Sequence, residues 1–113
     1  MTSTTMGLAL MAFALAMPGP LLAAQADMSP EARQGHALME ERCSSCHAIE
    51  ATGDSPNPTA PPFREIVTRY PVESLAEALA EGIIVDHDGP MPQFVFEPQD
   101  VDAILAYLHT LEK

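Results

Sequence analysis

The chain has 113 residues, with 16 acidic against 5 basic side chains, a formal net charge of −11, and two cysteines. That balance excludes nucleic acid and anionic membrane surfaces as partners, because like charges would repel. It favours protein partners with a basic docking face, whose encounter low salt would speed.

Residues 1–26 differ in chemistry from the remainder of the chain: none is charged. Met6 to Met17 is an apolar run of about a dozen residues, the length of a signal-peptide core and too short to span hydrocarbon comfortably. Pro18, Gly19 and Pro20 break it, and Ala24-Gln25-Ala26 offers the small residues that a signal peptidase reads. The segment is therefore expected to be an export signal cleaved after Ala26. It departs from the usual pattern in one respect, since only the terminal amine supplies positive charge ahead of the apolar run. No later stretch is long and apolar enough to cross a membrane, so no stable insertion is expected after cleavage. Residues 27–113 suffice for one domain. A chain that short buries little apolar surface and commonly recruits a staple. A disulfide between cysteines three positions apart closes too small a loop to serve.

Ser29-Pro30-Glu31 reads as a helix start, with Ser at the N-cap and Pro at the first helical position, and the helix is expected to run to about Arg42. From Gly53 to Pro62 four prolines remove backbone donors and fix φ, which predicts a stiff loop. Phe63 to Tyr70 should make two turns, ended by Pro71. Val72, Leu75, Ala78 and Leu79 recur at helical spacing from Pro71 to Glu81, with Gly82 placed as the terminating residue. Ile83 to Phe96 has no helical period and holds Gly89, Pro90 and Pro92, which predicts an extended or looping segment. Pro98 then opens the strongest helix, striped by Val101, Ile104, Leu105, Leu108 and Leu111. With no strand alternation and no internal repeat, the expected class is all-α: three main helices and a short one.

The run Cys43-Ser-Ser-Cys46-His47 carries the chemistry. Covalent haem needs two thiols placed to add across its two vinyl groups and an imidazole beside the second thiol to reach the iron. The export signal supplies a suitable compartment, the bacterial periplasm. Two other readings compete. A redox Cys-x-x-Cys wants a βαβ setting, and no strand precedes Cys43. A zinc site wants a second regularly spaced ligand pair, which His36, His87 and His109 do not supply.

With these residues in place, the chain resembles class I cytochrome c from about Ser29 to Leu111. The family has a helix leading into CxxCH with a glycine and a large apolar residue at the positions of Gly35 and Met39, although the latter is usually aromatic. The resemblance implies that this helix crosses the last one near Ile104 and Tyr107. It also implies that Gly35 is small because two backbones approach there. Ala60-Pro61-Pro62-Phe63 is similar to the family's proline after the haem motif. There a carbonyl, assigned to Pro61 with Pro62 as fallback, accepts a hydrogen bond from the Nδ1–H of His47. The implied fold is three main helices plus a short one wrapped around an iron-containing haem c that is attached covalently.

The second axial ligand has six candidates in residues 27–113: Met28, Met39, Met91, His36, His87 and His109. Met28 lies near the start of the domain, and Met39 falls on the expected core face. His36 and His109 sit on helices that the resemblance places away from iron. His87 stands between two aspartates. Met91 lies between Pro90 and Pro92 in an irregular segment, and Gly-Pro-Met-Pro-x-Phe resembles the family's distal methionine loop. His47 and Met91 are therefore the expected iron ligands. Phe63, Ile66, Leu75, Leu79, Ile83, Phe94 and Leu105 are expected to line the pocket. Such a protein would be a periplasmic electron carrier and not an enzyme. The alternative is a dedicated cytochrome subunit accepting electrons from one periplasmic dehydrogenase, or serving an oxidase; a haem sensor or peroxidase-like enzyme would need an open axial position.

Overall fold

The computed structural model describes residues 7, 9–17, 19–20, 27–83 and 91–113. Four α-helices lie within the described residues 27–113: α1 Pro30–Arg42, α2 Phe63–Arg69, α3 Leu75–Glu81 and α4 Pro98–His109. The described residues include no strand, so the class is all-α. The proposed cleavage point after Ala26 lies outside the described residues. In the leading segment, Leu10, Phe13 and Leu15 are almost wholly exposed and add nothing to the core.

Local chemistry sets the ends of these helices. Ser29 caps α1 by accepting the Ala32 N–H on its hydroxyl at 3.0 Å, and Pro30 occupies a position that needs no amide hydrogen. The single helix expected over 71–81 is two pieces, a 3₁₀ turn Val72–Ser74 followed by α3. Pro71 and the Ser74 hydroxyl account for the tighter start, since that hydroxyl donates back to the Pro71 carbonyl at 2.7 Å. α3 ends at Gly82, whose φ of 70° is the left-handed conformation that glycine adopts without strain. Beyond it, Phe96 N–H donates to Leu79 O at 3.0 Å and ties the irregular segment 91–96 to α3.

The two long helices, α1 and α4, form the frame. A Cβ built on Gly35 would lie 1.9 Å from the Ala103 carbonyl oxygen and 2.9 Å from the Ile104 nitrogen. Backbone therefore meets backbone at the crossing, and only glycine fits. Around it Met39, Ile104, Tyr107 and Leu108 are buried in one cluster with Ile49, Val67, Val72 and Leu111.

A polar clamp joins the crossing to the chain that leaves CxxCH. The Tyr107 hydroxyl donates to Ile49 O at 2.6 Å, with Glu50 Oε2 at 3.4 Å. His36 packs edge-on against the Tyr107 ring at 4.9 Å, and its Nε2 lies 2.5 Å from Glu50 Oε1. Burial, and after it the charge of Glu50 and the hydrogen bond to it, push the Tyr107 phenol well above its ordinary range. The hydroxyl thus stays protonated and remains a donor.

The crossing and the clamp can each be tested by substitution. Gly35→Ala should cost about 1–3 kcal/mol, the usual cost of overpacking, seen as a lower denaturation midpoint of the haem-loaded protein; an unchanged midpoint would contradict so close a crossing. Tyr107 holds its proton to higher pH when folded than when unfolded, so unfolding releases a proton once the unfolded phenol ionises near pH ~10. Stability should therefore fall as pH rises above that point, and Tyr107→Phe should flatten part of the decline in denaturant titrations.

Candidate haem site

Cys43, Cys46 and His47 occupy the turn by which the chain leaves α1. Cys43 N–H donates to Met39 O at 2.7 Å, and Ser44 N–H reaches the same carbonyl at 3.1 Å. The Cys43 carbonyl in turn accepts from the Cys46 and His47 amides at 3.2 and 3.0 Å. One tight turn thus holds both thiols and the imidazole together.

The proline-rich loop then folds back on this turn. Asn57 N–H donates to Cys46 O at 3.1 Å, Ala48 N–H to Ser55 Oγ at 2.9 Å, and Phe63 N–H to Ala48 O at 2.9 Å. These bonds bring Pro61 to the histidine: His47 Nδ1 lies 2.7 Å from the Pro61 carbonyl oxygen. A carbonyl can only accept, so Nδ1 carries the proton and the lone pair of the neutral ring is on Nε2. The imidazole is buried, 6% exposed, and tilts against Phe63 at 5.1 Å between ring centres.

His47 borders a cavity of about 880 Å³, within the ~300–1,000 Å³ usual for cofactor pockets. Cys43 and Met91 line it too, and so do Phe63, Ile66, Leu75, Leu79, Ile83, Phe94 and Phe96. Leu105 does not; it packs from the side onto the core cluster. Its place on α4 is taken by Ile104 and Leu108, one turn apart on the face that also meets α1. Met39, fully buried, contributes to both core and cavity. Cys46 is half-buried and is not among the lining residues.

The remaining ligand candidates are placed elsewhere. His36 is engaged with Glu50 and Tyr107, and His109 sits 2.9 Å from both Glu73 and Glu112. Met28 packs partly buried against the core. His87, with Gly89 and Pro90, lies outside the described residues. Of the candidates that are described, Met39 and Met91 border the cavity.

The geometry also weighs on the competing readings of the cysteines. Burial pushes the Cys43 thiol up to about 11, whereas a redox dithiol needs its attacking sulfur pulled down toward neutral pH. Among the described residues no three His, Cys, Asp or Glu side chains are grouped to hold a metal ion, the arrangement that a zinc site requires. The apolar cavity, the paired thiols and an imidazole fixed through Nδ1 suit a large flat cofactor with a metal at its centre.

Such a site belongs to a protein that holds haem covalently. The family model for cytochrome c matches residues 32–112, and the chain belongs to the cytochrome c family. Its members bind haem c covalently and serve in haem-based electron transfer. No curated protein and no solved structure gives a significant match. Among the described residues no helix is long and apolar enough to cross a membrane.

The division of labour on α4 is testable. Leu108→Ala should cost about 2–5 kcal/mol and shift the main haem absorption band. Leu105→Ala should cost less and leave the band in place; equal effects in unfolding and absorbance experiments would contradict the placement.

Proposed function

We propose that this protein is a periplasmic single-electron carrier whose haem is anchored through Cys43 and Cys46 and ligated by His47 and Met91. The observation that carries this reading is the pairing of two donors at one cavity: an imidazole fixed by Pro61 and a thioether from a segment beyond α3.

When bound, haem supplies a one-electron iron couple. The chain's own residues do the rest. Pro61 holds the His47 ring so that Nε2 offers its lone pair, and the hydrogen bond raises the basicity of that nitrogen. Met91 offers a soft, neutral thioether, which favours the ferrous state and raises the potential relative to a second histidine. His47 and Met91 would between them hold the iron in either oxidation state, which would leave no site for substrate and keep rearrangement on electron transfer small. The apolar side chains of α2, α3 and α4 that line the cavity would keep water from a bound haem.

Localisation and partner are read from charge and sequence. The uncharged leading segment, with exposed apolar side chains outside the core, supports export and cleavage after Ala26. The charge of −11 supports a redox partner with a basic docking face.

The test is to produce the protein with haem-maturation machinery and compare Met91→Ala with the parent. The parent should keep its haem through acid–acetone extraction. Met91→Ala should have a lower midpoint potential and bind carbon monoxide rapidly when reduced, and His47→Ala should give no properly folded haem protein. An unaltered potential in Met91→Ala would contradict the ligation, and extractable haem would contradict the covalent anchorage.

A further inference from the structure

Gly82 ends α3 in the left-handed conformation, φ 70°, and its N–H donates to the Ala78 carbonyl. What lies over it is the segment that carries Met91. A Cβ built on Gly82 would meet Val95 Cγ2 at 3.2 Å, the Phe94 carbonyl oxygen at 3.3 Å and Gln93 Cβ at 3.8 Å. The first two are tighter than the contacts a Cβ ordinarily makes. Val95 is 73% exposed, so its side chain can turn away. The Phe94 carbonyl is main chain and can yield only if the segment moves with it.

Little slack separates that carbonyl from Met91. Pro92 fixes its own φ and steers the residue before it, Met91, into an extended conformation. Between Met91 and Phe94 only Gln93 then keeps ordinary backbone freedom. Downstream the segment is held by the bond from Phe96 N–H to Leu79 O, 3.0 Å, and the Phe94 and Phe96 rings lie 6.1 Å apart. On the side of α1 the Arg42 guanidinium carbon is 6.0 Å from the Phe94 ring centre, at the limit for cation–π attraction. Phe94 and Ile83, the residue after Gly82, border the cavity together with Met91. The end of α3 is thus the floor on which the methionine segment rests, and it is bare of a side chain where the two touch.

We propose that Gly82 is a positioning residue for Met91: by letting residues 93–95 lie directly on the end of α3, it sets how closely the thioether approaches the iron. The inference rests on Met91 as the iron ligand. A glycine needed only to end α3 could be replaced by asparagine, which also adopts left-handed backbone. A glycine needed for the contact could not, because any Cβ lifts the Phe94 carbonyl and, through Pro92, shifts Met91.

The experiment compares the haem-loaded parent with Gly82→Asn and with Ser29→Ala, a control that loses the N-cap of α1 and touches nothing in the segment. Two properties are read: the affinity of the ferric protein for imidazole, which competes with the thioether for iron, and the urea midpoint. Gly82→Asn should bind imidazole about tenfold more tightly than the parent, equivalent to about 1.4 kcal/mol of lost thioether hold. Its weak red absorption band, the mark of methionine on ferric haem, should diminish. Ser29→Ala should lower the urea midpoint and keep the parent's imidazole affinity. Gly82→Asn with the parent's affinity and band, or an equal rise in affinity in Ser29→Ala, would overturn the inference and leave methionine ligation standing. A parent without the methionine band would overturn both. Should Gly82→Asn fail to mature, hydrogen exchange in the parent decides, since coupling between two sites is reciprocal. Displacing Met91 with imidazole should speed exchange of the Phe96 amide and leave the amides at the α1–α4 crossing as they were. An unchanged rate at Phe96, or the same change throughout, would refute the positioning role.

Discussion

The hydrogen bond from His47 Nδ1 to the Pro61 carbonyl is the constraint on which the rest of the site depends. Without it the imidazole would have two tautomers and a free rotation about its side chain; with it, Nδ1 carries the proton and Nε2 the lone pair. The loop exists, in effect, to place one oxygen. Its prolines limit the conformations to be given up on folding, and the bonds from Asn57, Ala48 and Phe63 pin it to the CxxCH turn at three points.

That turn is itself held by the helix crossing. α1 delivers Cys43, α4 closes over α1 at Gly35 and Ala103, and the Tyr107 hydroxyl reaches across to Ile49 just after the histidine. The two long helices thus fix where the haem motif begins and where it leaves. A domain this short has a modest core, and the large cavity adjoins it, bordered by the core residues Met39, Ile104 and Leu108. Covalently bound haem would complete that core, which explains how so few residues dispense with a disulfide.

Much of this is legible from residue types alone. The Ser29-Pro30 start and the Gly82 stop are local signals, and the described structure uses both as expected. The CxxCH spacing names the cofactor because few chemistries need two thiols and an imidazole in five residues. The rotation of α4 is not legible. Its apolar stripe includes Ile104, Leu105 and Leu108, and which of them faces the cavity depends on where α1 crosses, a long-range fact fixed by Gly35 meeting Ala103. For the same reason Leu105 is expected in the lining and is not there, while Met39 serves core and cavity together. The split of 71–81 into a 3₁₀ turn and a helix comes from one serine hydroxyl that periodicity does not register. His36 and Glu50 are far apart in sequence, so their contact behind Tyr107 has no local signature.

The central claim is that His47 and Met91 together hold the iron of a covalently attached haem. It is tested most directly by the proton NMR spectrum of the reduced, haem-loaded protein. A methionine methyl seated on the face of the macrocycle experiences its ring current, so the Met91 methyl resonance should stand far upfield of all other methyls and disappear in Met91→Ala. A spectrum with no such methyl, or one retained when Met91 is replaced, would contradict the assignment.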